Sequence, residues 1–176
     1  PWTAEACRRA GTVHLGGTMA EVAAAEREVG AGRHPERPFV IVAQQSAVDP
    51  SRAPAGKATL WAYCHVPFGS TVDMTSAIQA QIERHAPGFG DLVLARVSTT
   101  PADLAAYNPN YVGGDIAGGA SDGLQLLFRP KITARPYTTP AEDIFLCSSS
   151  TPPGAAVHGM CGHWAAKAAL RHLNRR

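Results

Sequence analysis

The residues whose types and spacing carry the most chemistry lie near the end of the chain. They read Ile-Phe-Leu-Cys-Ser-Ser-Ser-Thr-Pro-Pro-Gly-Ala-Ala-Val-His-Gly-Met-Cys-Gly over residues 144–162. The pattern predicts a short apolar strand, a Gly/Pro turn, and a helix with glycines in its first turn. A helix start leaves backbone N–H groups unpaired and carries the positive end of the peptide dipole. Such a layout suits an anionic or electron-accepting ligand.

Two other chemistries fit this stretch less well. His158, Cys161 and His163 are metal-ligand types close together, with His14, His34, His65 and His85 elsewhere. On a helix, however, His163 points away from the face shared by 158 and 161. No carboxylate or second cysteine pair completes the set, so no metal site is expected. Ser148, Ser149 and Ser150 follow the predicted strand, but the Gly-x-Ser-x-Gly setting of a nucleophile elbow is missing. These serines are better suited to satisfying backbone groups at the strand end. His158 has two open readings: a local hydrogen bond at the helix start, or contact with a cofactor. No catalytic acid, base or nucleophile is assigned.

Further residues must be weighed as walls of a site. Trp61, Tyr63 and His65 alternate along a predicted strand and share one face. They form either one wall of an apolar substrate cavity or a packing surface under a helix. Residues 108–123 are rich in glycine (Gly113, Gly114, Gly118, Gly119) and lack regular periodicity. They predict a long ordered loop, and loops of that kind are usually functional or disordered. The loop has neither the Lys-Ser/Thr of a phosphate-binding loop nor Gly-x-Gly-x-x-Gly spacing. It either supplies turns that need positive φ or approaches a ligand closely.

The elements that position these residues follow from local signals. Residues 12–15 read as a strand ending at Gly16-Gly17. Thr18 and Glu21 form a T-x-x-E capping box, opening a helix that stops near Gly30 and carries Met19, Val22 and Val29 near one face. Residues 39–45 read as a strand buried on both faces, and residues 58–66 as the clearest strand. Met74, Ile78 and Ile82 mark an amphipathic helix over 73–86, ended by Pro87. Residues 92–97 read as another strand. Thr100 with Pro101 starts a short helix. Residues 1–12 read as irregular.

The order predicts an α+β fold: a mixed β-sheet with helices on one face, then the strand-turn-helix. The expected organisation is 1–107 for the sheet-based part, 108–143 for the glycine-rich loop and connection, and 144–176 for the closing unit.

Bulk properties exclude several classes. The chain has 176 residues and a formal charge of +2 with scattered charges, so no basic face argues for nucleic-acid binding. Only residues 171–176 are locally basic, in keeping with a helix C-terminus. No apolar run approaches the roughly 20 residues a membrane span needs. No secretory signal opens the chain, and a cytoplasmic location is expected. The four cysteines form no Cys-x-x-Cys pair, and disulfides are not expected. The first residue is Pro1, so the chain is expected to be trimmed or cut from something longer.

Several motifs together resemble one family. They are Asn-Pro-Asn-Tyr-Val-Gly-Gly-Asp-Ile-Ala-Gly-Gly (108–119), Leu-Leu-Phe-Arg-Pro (126–130), Tyr-x-Thr-Pro (137–140), Phe-Leu-Cys-Ser-Ser-Ser-Thr-Pro-Pro-Gly (145–154) and Val-His-Gly-Met-Cys-Gly (157–162). The segment from Gly11 to Ala86 joins them, with His-Leu-Gly-Gly (14–17) and Leu-Trp-Ala-Tyr-Cys-His (60–65). These are similar to the C-terminal part of phytoene-dehydrogenase-like flavoproteins, FAD-dependent oxidoreductases related to carotenoid desaturases and amine oxidases. The resemblance covers nearly the whole chain.

The resemblance implies a flavoprotein substrate-binding domain followed by a unit that completes a Rossmann-like FAD domain. It places Thr151, Gly154, His158, Gly159, Met160 and Gly162 beside FAD; Trp61, Tyr63 and His65 stay the candidate substrate wall read from their alternation. The implied chemistry is hydride removal from an apolar small molecule. The chain departs from the family in carrying no dinucleotide fingerprint, and in having Ala155 and Ala156 where glycine is usual. FAD binding therefore needs a partner, an N-terminal Rossmann FAD-binding domain or polypeptide, and the isolated chain is expected to be inactive. A homodimer through an exposed apolar face is also expected. The alternative is a non-catalytic binding or interaction module that keeps the fold without flavin.

Overall fold

The computed structural model describes residues 1–174 and divides into two compact units, Pro1–Asp103 and Leu104–Arg176. The expected α+β class is observed.

The first unit is built on three strands, β1 (Thr12–Leu15), β2 (Val40–Ala43) and β3 (Trp61–Cys64), in the order β1-β2-β3. Both pairings are antiparallel, so the sheet is antiparallel rather than mixed. The register sets Val13 opposite Val42 and Leu15 opposite Val40, with Ala62 and Cys64 next in line. One face therefore carries Val13, Leu15, Val40 and Val42, all buried. It packs with Ile82 and Ala86 from the chain at and just after α4 (Thr75–Glu83) and with Trp2. Burying one valine of this kind contributes about 1.5–3 kcal/mol. Ile41 and Ala43 on the other face are only half-buried, which corrects the expectation that β2 is covered on both sides.

Local signals set the helices. α2 (Met19–Gly30) opens with the capping box. The Glu21 N–H donates to Thr18 Oγ1 at 3.3 Å, and the Thr18 N–H donates to the Glu21 carboxylate at 2.8 Å. Met19 is exposed, so the apolar face of α2 runs through Val22 and Ala25 instead. α5 (Pro101–Tyr107) opens on a second box between Thr100 and Asp103. Two short helices escaped the sequence reading: α1 (Glu5–Arg9) and α3 (Gln45–Val48). The Gln44 amide ties the first of them down, donating to the Cys7 and Ala10 carbonyls at 2.8 Å and accepting from the Trp2 indole at 2.6 Å.

Residues 92–97 form no strand. A 3-10 turn at Gly90–Leu92 leads into irregular backbone, and Leu92, Leu94 and Val97 are exposed. A strand needs a neighbour to take its N–H and C=O groups. Here the anchors are side chains, Arg96 on Gln79 and Ser98 on Thr75.

The second unit holds one long element, α6 (Met160–Leu173), with 3-10 turns at Val112–Gly114 and Gly123–Leu126. Apolar Leu124 and Leu126 lie in the second of these turns. No described helix is long and apolar enough to cross a membrane. Arg175 and Arg176 of the basic terminus lie outside the described residues.

Candidate functional site

The closing unit is assembled from the turn outward. Residues 144–147 were expected to be a strand but form one arm of a minimal hairpin. Its single bridge pairs Thr138 with Phe145, and the Leu146 N–H donates to the Tyr137 carbonyl at 2.8 Å. The physical reason is the same as for residues 92–97: among the described residues the second unit offers this segment no further strand to pair with.

The turn after it is tightly organised. Thr151 is fully buried; its N–H and hydroxyl both donate to the Ser148 carbonyl, at 2.9 and 2.7 Å. The Gly154 N–H donates to the Thr151 carbonyl at 2.9 Å, and Tyr137 donates its hydroxyl to the Pro152 carbonyl at 3.0 Å. Burial, with Cys161 nearby, pushes the Tyr137 phenol up from its ordinary value of 10.0. The buried Cys161 thiol lies 3.5 Å from the Thr151 carbonyl and 3.4 Å from that of Gly154. The first turn of α6 is thereby fastened onto the Pro-Pro-Gly turn.

Gly159 caps α6 in the left-handed region at φ 64°, a conformation that favours glycine. The Met160 N–H is taken by Nδ1 of His158 at 2.9 Å. The next two, of Cys161 and Gly162, have no acceptor among the described residues. No acidic side chain occupies this first turn. The helix's own first turn therefore supplies no negative charge to its positive end.

An open groove of about 360 Å³ lies at this helix start, within the usual size range of small-molecule sites. Of the residues the sequence singled out, Gly154, His158, Gly159 and Gly162 line it. Met160 stands beside it and contributes the amide that fixes His158, while Thr151 lies beneath as the buried knot of the turn. The sequence reading missed Ile116, Cys147 and Ser149 as lining residues. Ile116 comes from the glycine-rich loop, so that loop does approach the groove. At Gly162 a Cβ would sit 3.4 Å from the Cys147 sulfur.

Trp61, Tyr63 and His65 belong to the first unit and lie on the open face of the sheet, as their alternation requires. Trp61 is 51% exposed. Its ring lies 4.9 Å from Tyr63, and Tyr63 lies 5.9 Å from His65. The row continues through Phe39 to His14. The His65 imidazole meets the Glu26 carboxylate of α2 at 2.9 Å. Among the described residues, no three His, Cys, Asp or Glu side chains gather into a metal-holding group.

Comparison with known proteins finds curated relatives of this chain. The chain is 32% identical, over 157 residues, to pyridine nucleotide-disulfide oxidoreductase domain-containing protein 2 of Mus musculus, and equally to that of Rattus norvegicus. The match covers 78% of this chain and 26% of each relative, so the chain spans about a quarter of their length. No family model matches the chain. No solved structure matches it. The chain is a distant homologue of these oxidoreductase-domain proteins.

Proposed function

We propose that this chain is the substrate-binding and flavin-contacting C-terminal portion of an FAD-dependent oxidoreductase resembling phytoene dehydrogenase. The observation that carries the reading is the groove at the start of α6, with its two unpartnered amides and the imidazole of His158. These donors suit the electron-rich edge of a flavin ring. Because Nδ1 accepts the Met160 N–H, the neutral ring carries its proton on Nε2, which is then a donor. Flavin held there would accept a hydride from substrate and spread the resulting charge. The chain's own part is to offer N–H groups where that charge accumulates, worth most in a site screened from water.

The fit is to the ring end of the cofactor alone. The chain contains no Gly-x-Gly-x-x-Gly, so the pyrophosphate has to be held by a separate Rossmann polypeptide or domain. In this reading the exposed Leu124, Leu126, Leu127 and Ile132 of the second unit meet that partner. Without it they drive self-association, which sedimentation would reveal. The exposed aromatic row through Trp61, Tyr63 and His65 supports an apolar substrate, whose flat or chain-like carbon skeleton would lie along it.

The test is reconstitution. The chain is mixed or coexpressed with a polypeptide that carries the dinucleotide fingerprint, incubated with FAD, then desalted to remove free FAD. Retained visible flavin absorbance that depends on both partners is the expected result. Absence of flavin from the mixed complex favours a binding module that keeps the fold without the cofactor.

A further inference from the structure

We infer that Arg129 is the positioning residue that gives the groove its shape. It is 5% exposed, yet its hydrogen bonds go to three carbonyls and a hydroxyl, and to no carboxylate among the described residues. Nη1 donates to the Ala120 carbonyl at 3.2 Å and to Ser121 Oγ at 2.9 Å. Nη2 donates to the Ser149 carbonyl at 3.2 Å and reaches the Gly118 carbonyl at 3.5 Å. One rigid plane therefore joins the glycine-rich loop to the serine turn.

Both joined segments belong to the groove. Ser149 lines it directly, and Ile116, two residues before Gly118, lines it from the loop. Gly118 sits at φ 77°, where a Cβ would run into the Ser149 hydroxyl. The third neighbour is Gly154, another lining residue. A Cβ built there would meet the guanidinium at 3.5 Å from Nη1 and 3.6 Å from Cζ. The geometry calls for a planar fork. A lysine keeps the charge but cannot donate in one plane to two walls. Isolating a buried charge from any counter-charge is costly, which leaves this arrangement explained by what it holds together. Only the identity of the occupant rests on the flavin reading.

The experiment is hydrogen exchange on the full chain, read over 116–121 and 147–151, for the native protein, Arg129→Ala, Arg129→Lys and Ser121→Ala. Arg129→Ala is expected to speed exchange in both segments together. Each lost hydrogen bond is worth about fivefold to tenfold in local opening. Free guanidinium, far below unfolding concentrations, is expected to restore protection where equal ammonium does not. Ser121→Ala is expected to loosen the loop segment alone. Native-like protection of both segments in Arg129→Lys, or equal rescue by ammonium, overturns the fork. Unchanged exchange in either segment of Arg129→Ala overturns the clamp. Should Arg129→Ala not fold, Arg129→Lys and Ser121→Ala decide the matter alone.

Riboflavin fluorescence quenching supplies the second reading. Weaker binding by Arg129→Lys than by the native chain supports a groove shaped by Arg129, and equal binding counts against it. Failure of the native chain to bind riboflavin in the reconstituted complex counts against the flavin reading, and the exchange data still judge Arg129.

Discussion

The Met160 backbone N–H donates to Nδ1 of His158 across 2.9 Å, so the side chain before α6 caps the helix it precedes. In the neutral ring this bond uses the Nδ1 lone pair and leaves the proton on Nε2. His158→Ala leaves a third amide without an acceptor. A hydrogen bond of this kind contributes about 1 kcal/mol, which lowers the melting temperature by about 2–4 °C in a chain of this size. Calorimetry on the variant checks the stability effect. His158→Asn can still cap through its side-chain carbonyl, so it is expected to keep most of the stability while losing the ring donor. Reconstituted Asn variant that is stable yet takes up flavin poorly would separate the two roles.

Gly154 and Gly159 make a graded pair. Gly159 lies in the ordinary left-handed well at φ 64°, whereas Gly154 sits at φ 103°, outside it. Alanine costs about 1–2 kcal/mol in the left-handed well, and of order 1–3 kcal/mol in sparser regions. Gly154 is also buried, with Arg129 against it. Gly154→Ala is therefore expected to destabilise more than Gly159→Ala in urea titrations. The reverse order would show that the Pro-Pro-Gly turn is not held as described.

The capping box of α2 predicts an acid limb. Hydrogen bonds from the Thr18 backbone and then its hydroxyl, with Arg84 behind them, hold the Glu21 carboxyl below its ordinary value of 4.5. A depressed carboxylate stabilises the fold above the unfolded-state value. That contribution is lost as pH falls through the lower folded-state value. Asp103, held down by Thr100, acts in the same direction. Stability should therefore decline from about pH 4.5 downward. Glu21→Gln should flatten this limb and lower stability at neutral pH, measured by urea midpoints at stepped pH.

What was legible in the sequence was local. The Thr18–Glu21 box, β1 over Thr12–Leu15 and the alternation that puts Trp61 and Tyr63 on the open face depend on residues within a few positions of each other. The start of α6 was legible for the same reason: Gly159 marks it and His158 closes it. The strands expected at 92–97 and 144–147 failed because a strand is a property of two segments, and apolar alternation says nothing about whether a partner is near. Arg129 stands in the Leu-Leu-Phe-Arg-Pro motif, but its role is hidden there. Its acceptors are three backbone carbonyls and one serine hydroxyl, 8 to 20 residues away, which no residue type announces.

The four cysteines give a final test, because their surroundings differ so widely. Cys147 is exposed and lines the groove, Cys161 is buried under the turn, and Cys7 and Cys64 are half-buried. Burial, then the Glu26 charge, pushes the Cys64 thiol from its ordinary 9.0 up to about 11. The thiolate is the reacting form. At pH 8, iodoacetamide is therefore expected to label Cys147 first and Cys64 far more slowly, with Cys64 labelling still rising as pH passes 9. Peptide mapping by mass spectrometry reads each site. In the reconstituted complex, flavin over the start of α6 would shield the Cys147 sulfur, which stands against Gly162. Labelling of Cys147 should then slow while Cys7 keeps its rate. Equal labelling of Cys147 with and without retained flavin would place the ring somewhere other than this groove.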